Sequence, residues 1–126
     1  MRVLQIINQA FRTLVEEQDD PILWLVQSMR SAQGDLILLL CGPAVYYATL
    51  KRRQPALSLA GWQQTEPADV PHDLAALVDS GVPVYAVSED LAERGLGDLP
   101  LAGGVRRVSR LQLVELCEQV DQVWHM

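Results

Sequence analysis

Short, nearly continuous apolar runs alternate along this chain with longer stretches whose apolar positions recur every three or four residues. Residues 3–7 form the first run and read as a strand buried on both faces, ended by Asn8 and Gln9. A helical pattern covers residues 11–33 but is interrupted at Asp19-Asp20-Pro21. Proline fits the first turn of a helix and not its interior, so the main helix is expected over residues 21–32, with Asp20 as its cap. Its sheet-facing positions are Ile22, Leu25, Val26 and Met29, which leaves Trp24 partly exposed. Gly34 ends that helix, residues 36–41 make a second strand, and Gly42-Pro43 turns the chain into a short helix over residues 44–51.

Residues 52–71 carry Pro55, Gly61, Pro67 and Pro71 with little periodicity. They predict an irregular insertion, with at most a short apolar piece at residues 56–60. A helix over residues 73–80 then leads to a third strand, 82–87. Ser88 stands at the junction as an N-cap, with Glu89 and Asp90 in the first turn, where carboxylates suit the helix dipole. Arg94 and Gly95 close this helix, Gly95 as a left-handed cap. A fourth strand follows at 105–108, then a helix capped by Ser109 and running to Gln119, with Leu113, Leu116, Cys117 and Val120 on one face. Residues 120–125 make the last strand. Strand and helix in repeated alternation predict a single α/β domain of three layers. Its mostly parallel sheet has about five strands, and the topology is flavodoxin- or Rossmann-like.

At 126 residues and 49% hydrophobic, the chain has the size and composition of one globular core. A net charge of −6 argues against direct contact with nucleic acid or an anionic membrane. The longest apolar run is strand-sized, the N-terminus lacks signal-peptide organisation, and two cysteines make no disulfide framework. A cytoplasmic location is expected.

In open parallel sheets, ligands and reactive groups sit at the carboxyl ends of strands. Two such ends carry chemistry here. Cys41 ends the second strand before Gly42, where backbone N–H groups favour a thiolate; the alternative is a small buried hydrophobe. The third strand end offers Val87, Ser88 and Asp90, neither thiol nor histidine, and with Gly42 these form a possible ligand crevice. Cys117 reads as core. His72 and His125 have no partner at metal-ligand spacing, and Gly103-Gly104 lacks the spacing of a dinucleotide loop, so no metal or cofactor is expected.

Three stretches resemble the DsrE/DsrF/DsrH superfamily and its TusB/TusC/TusD relatives, small α/β subunits of sulfur relays. VLQIINQAF looks like the opening strand and turn of the DsrH/TusB branch. LLLCGPAVYYATL is similar to the strand-to-helix step that the family writes LL-x-x-DGVYAAL. VYAVSEDLAERGL, with VRRVSRLQLVELCEQVDQVWHM after it, matches that branch at Asp90, Leu91, Arg94, Gly95, Asp121, Val123 and Trp124. The resemblance implies oligomers of like or related subunits, sulfur-carrier partners, and a persulfide cysteine at the strand end before the Arg-Gly helix. Alignment on Arg94-Gly95 puts that cysteine at Val87 and a second one, seen in some relatives, at Asp90; the helix cysteine of some DsrH proteins falls near Gln27, and none of the three is a thiol here.

The resemblance therefore implies a non-catalytic or accessory subunit of a sulfur relay, in tRNA thiolation or sulfur oxidation. Trp24, Trp62 or Trp124 would serve as contact anchors. Two alternatives stand beside it. One is a stand-alone persulfide carrier using Cys41, which requires a partly exposed thiol with a depressed pKa. The other is a module that binds a small anion at the Ser88–Asp90 turn.

Overall fold

The computed structural model describes residues 1–10, 21–50, 58–63 and 69–125. Five strands form one parallel sheet: β1 (Arg2–Ile7), β2 (Asp35–Leu40), β5 (Val84–Val87), β6 (Arg106–Val108) and β7 (Gln122–His125), in the order β6-β5-β2-β1-β7. The α/β architecture expected from the alternating pattern is the one observed. Strands β1, β2, β5 and β6 succeed one another in one direction, and only β7 returns to the far side of β1. The topological switch therefore lies between β1 and β7.

The two sheet faces carry separate clusters, because successive strand residues point to opposite sides. On one face Val3, Ile7, Leu38, Leu40, Val84 and Ala86 pack beneath α1 (Pro21–Ser31), α3 (Val70–Asp79) and Leu91 of α4 (Ser88–Glu93). On the other, Leu4, Ile37, Leu39, Val87 and Val108 lie under Leu116 of α5 (Arg110–Glu118), with Leu113, Cys117 and Val120 half-buried beside them as the helical spacing predicts.

Several boundaries and faces differ from the expectation. In α1, Leu23 is fully buried while Leu25 is only half-buried, because the helix packs on α3 as well as β2 and its apolar arc turns accordingly. Trp24 is 57% exposed; the cap expected at Asp20 falls outside the described residues. The helix expected over 44–51 is a 3-10 turn, Gly42–Val45, followed by one turn of α2 (Tyr46–Thr49). It stops there because Ala102 N–H takes the Ala48 carbonyl at 2.7 Å. Within the expected irregular stretch, β3 (Ser58–Leu59) and β4 (Trp62–Gln63) pair as a hairpin. Ala60 (φ 45) and Gly61 (φ 85) both adopt the left-handed conformation that a two-residue hairpin turn demands. That stretch also ends earlier than residue 71, since α3 begins at Val70, with Pro71 in its first turn and the Asp69 carboxylate accepting His72 N–H.

Candidate functional site

The strand-end edge is assembled by the turns after β2 and β5. Cys41 follows the last residue of β2, and its N–H donates to Ile7 O at 3.0 Å. Gly42 then takes φ +52, a conformation glycine adopts without the steric cost of a Cβ. This turn aims Gly42 N–H at Asp90 Oδ2, 2.8 Å away on α4. The other oxygen, Oδ1, accepts from Arg110 Nη2 at 2.6 Å, and Arg110 also reaches Glu93 Oε1 at 3.0 Å. Arg94 Nη1 donates to the Asp90 carbonyl at 3.1 Å, and Glu89 accepts Arg110 N–H at 3.1–3.2 Å. The turn after β2, helix α4 and the start of α5 are thus tied through one buried carboxylate.

The electrostatics follow from these partners. Burial by itself would raise the Asp90 pKa, but Gly42 N–H and the Arg110 and Arg94 charges outweigh it and hold the carboxyl below its ordinary value. The same carboxylate acts on its neighbour. Burial and the negative charge of Asp90 push the Cys41 thiol above its ordinary value, and Arg94 offsets only part of this. A depressed pKa, required of Cys41 as a carrier, is the reverse of what its surroundings produce. The thiol is half-buried and packs against the Leu4–Leu39 cluster under α5.

The remaining expected site residues separate. Val87 is 1% exposed, and its side chain belongs to the core beneath α5, not to a crevice. Ser88 makes no capping bond: Val87 (φ −71, ψ 121) occupies the N-cap position, and Ser88 is the first helical residue. The strand runs straight into the helix, which leaves no extra residue for a serine cap. Glu89 and Asp90 oppose an anion at this turn, and both are already engaged. Gly42 and Asp90 do come together, joined by the hydrogen bond above. Arg110 is the member that sequence reasoning missed. It lies 20 residues from Asp90 and on another helix, so no local spacing marks it. An open groove of about 810 Å³ lies elsewhere, between α1 and α3, lined in part by Gln27, Arg30, His72 and Ser80. Arg30 is spent there on the Ser80 and Gly34 carbonyls.

No family model and no curated protein matches the sequence. Solved structures do match along nearly the whole chain. The YchN protein from E. coli superposes with a TM-score of 0.76 at 22% identity, covering 99% of this chain and 98% of its own. MTH1491 from Methanobacterium thermoautotrophicum, described as a protein of unknown function, superposes with a TM-score of 0.64 at 18% identity, covering 98% and 97%. At these identities the likeness is one of fold: the chain has the α/β fold that it shares with YchN and MTH1491.

Proposed function

We propose that this protein is a non-catalytic or accessory member of a DsrE-like sulfur relay, acting by assembly with like or related subunits. The observation that carries the reading is the state of the Asp90 carboxylate, which is held by Gly42 N–H and Arg110 where such a relay would keep an accessible thiol. Val87, the position of the family's persulfide cysteine, is core. Cys41 is the free thiol nearest that edge, and burial and Asp90 keep it in the protonated, weakly nucleophilic form. Trp24 and Trp62, 57% and 44% exposed, support an assembly role, because aromatic side chains are enriched at interface centres.

The competing carrier would work by attack of the Cys41 thiolate on a donor's sulfane sulfur. An S–S bond to Sγ forms and the donor departs as its thiolate. The two readings separate by intact mass after incubating the reduced protein with a low-molecular-weight persulfide. The accessory reading expects wild type and Cys41→Ala to keep their original masses. A gain of one sulfur atom on wild type that is absent from Cys41→Ala would overturn it in favour of a carrier.

A further inference from the structure

Gln5 is fully buried in β1, 0% exposed, on the sheet face it shares with Val3 and Ile7. Its register neighbours are Leu38 on β2 and Trp124 on β7. An amide in such a place has two ends to satisfy, and only one is satisfied. Nε2 donates to Ile6 O at 3.2 Å and to Trp124 O at 3.3 Å. Oε1 is buried and has no hydrogen-bond partner among the described residues. Reversing the amide brings no relief, because it sets an oxygen against two carbonyl oxygens. A buried acceptor without a donor disfavours the closed state, and access to water removes that cost.

The unsatisfied oxygen lies where β7 is held least. At the amino end of the strand, Arg2 N–H donates to Asp121 Oδ2 at 2.7 Å and Asp121 N–H to Arg2 O at 2.8 Å. Beyond this tie, Gln122, Val123 and His125 are exposed, and only Trp124 packs against the core. The Gln5 bond to Trp124 O also adds little. Ile7 O accepts from Cys41, so Ile7 and Gln5 turn their backbone groups toward β2 and Ile6 turns its own toward β7. In the register Ile6↔His125, Ile6 N–H meets Trp124 O, and that carbonyl is already paired without Gln5.

We propose that β7 is a flap hinged at Asp121, with Gln5 as its release. Opening from the His125 end lifts Trp124 off the core and lets water reach Gln5 Oε1, while the other four strands of the sheet stay paired. Simple fraying of a terminal strand involves no such group; here a buried amide on the neighbouring strand is uncovered by the opening and favours it. Nothing in this device depends on a sulfur-relay role.

Native-state hydrogen exchange on the whole chain, followed residue by residue by NMR at low urea concentrations, tests it. The Trp124 amide reports the flap, and the Leu38 amide, which donates to Pro83 O at 2.9 Å, reports the centre of the sheet. In wild type, Trp124 is expected to exchange at least about tenfold faster than Leu38, with a shallower dependence on urea. Gln5→Leu removes the orphaned oxygen and keeps an apolar side chain in its place. It is expected to slow Trp124 exchange by about tenfold, and Leu38 exchange by a similar factor, since the amide is hydrated in both the open and the unfolded state. Gln5→Met, which keeps the length of the side chain, is expected to act in the same way. Equal rates and equal urea dependence for Trp124 and Leu38 in wild type would show that no flap opens, and need no variant. Slowing at Leu38 alone would mean that the strand frays with Gln5 still covered, and slowing at neither that the amide exacts no cost. Each of these results would overturn the proposal.

Discussion

Removing the Asp90 side chain strips Gly42 N–H and Arg110 of a partner at once, and in a nearly buried place. Asp90→Ala is expected to cost about 1–3 kcal/mol in urea denaturation, since it leaves the half-buried Gly42 N–H without its acceptor. Asp90→Asn keeps an acceptor for Gly42 and is expected to cost less. The pH dependence has a definite sign. The folded Asp90 pKa lies below the unfolded value of about 3.9. Its contribution is therefore complete above that value and fades as pH falls through the folded pKa. The stability gap between wild type and Asp90→Asn should accordingly be constant near neutrality and close in acid. Cys41 offers a kinetic check on the same network. Its alkylation by iodoacetamide should have a midpoint above that of an unhindered thiol. Asp90→Asn should lower that midpoint and Arg94→Ala raise it.

At the scale of elements, the local end signals at Ser109 and Gly95 were legible, whereas the one at Ser88 was not realised, since Val87 takes the N-cap position. The Ser109 capping box closes with Gln112 at 3.1 and 2.9 Å, and Gly95 adopts φ 71 as a helix-ending glycine should. Ser109→Ala is expected to lower stability by about 1 kcal/mol, read as a shift in denaturation midpoint. Signals that depend on distant partners were not legible. The end of α2 is set by Ala102, and the closeness of the 103–105 turn to α3 is set by Gly104, where a Cβ would stand 2.4 Å from Val78 Cγ1. Gly104 also has φ +85, so Gly104→Ala combines a steric clash with an unfavourable backbone and is expected to cost about 2–4 kcal/mol. Adding Val78→Ala should recover the steric part only. The insertion shows the same limit from the other side: Ala60-Gly61 forms a hairpin turn although alanine carries no turn signal.

Across the whole molecule, the switch between β1 and β7 separates two strand-end regions. The residues singled out for chemistry, Cys41, Gly42, Ser88 and Asp90, sit at the β2–β5 end, where no return of the chain opens a crevice. Gly42 and Asp90 are bound to one another and, through Arg110, to α5, which is the arrangement of a brace. Adding a small anion such as sulfate is therefore expected to leave the melting temperature within the shift given by general salt effects. A saturable rise abolished by Ser88→Ala would instead reveal a ligand site there.

The sequence by itself determined the α/β class, the main strands and helices, and the absence of a thiol at Val87. These depend on periodicity, end signals and residue identity, all of which act over a few neighbours. Only the tertiary structure decided that Val87 faces the core and that Arg110 completes the Asp90 site. It alone also set the direction of the Cys41 pKa shift and the place of β7 beside β1, at the end of the strand order. Each of these joins residues distant in the chain, and burial, charge proximity and strand order exist only once the chain has folded.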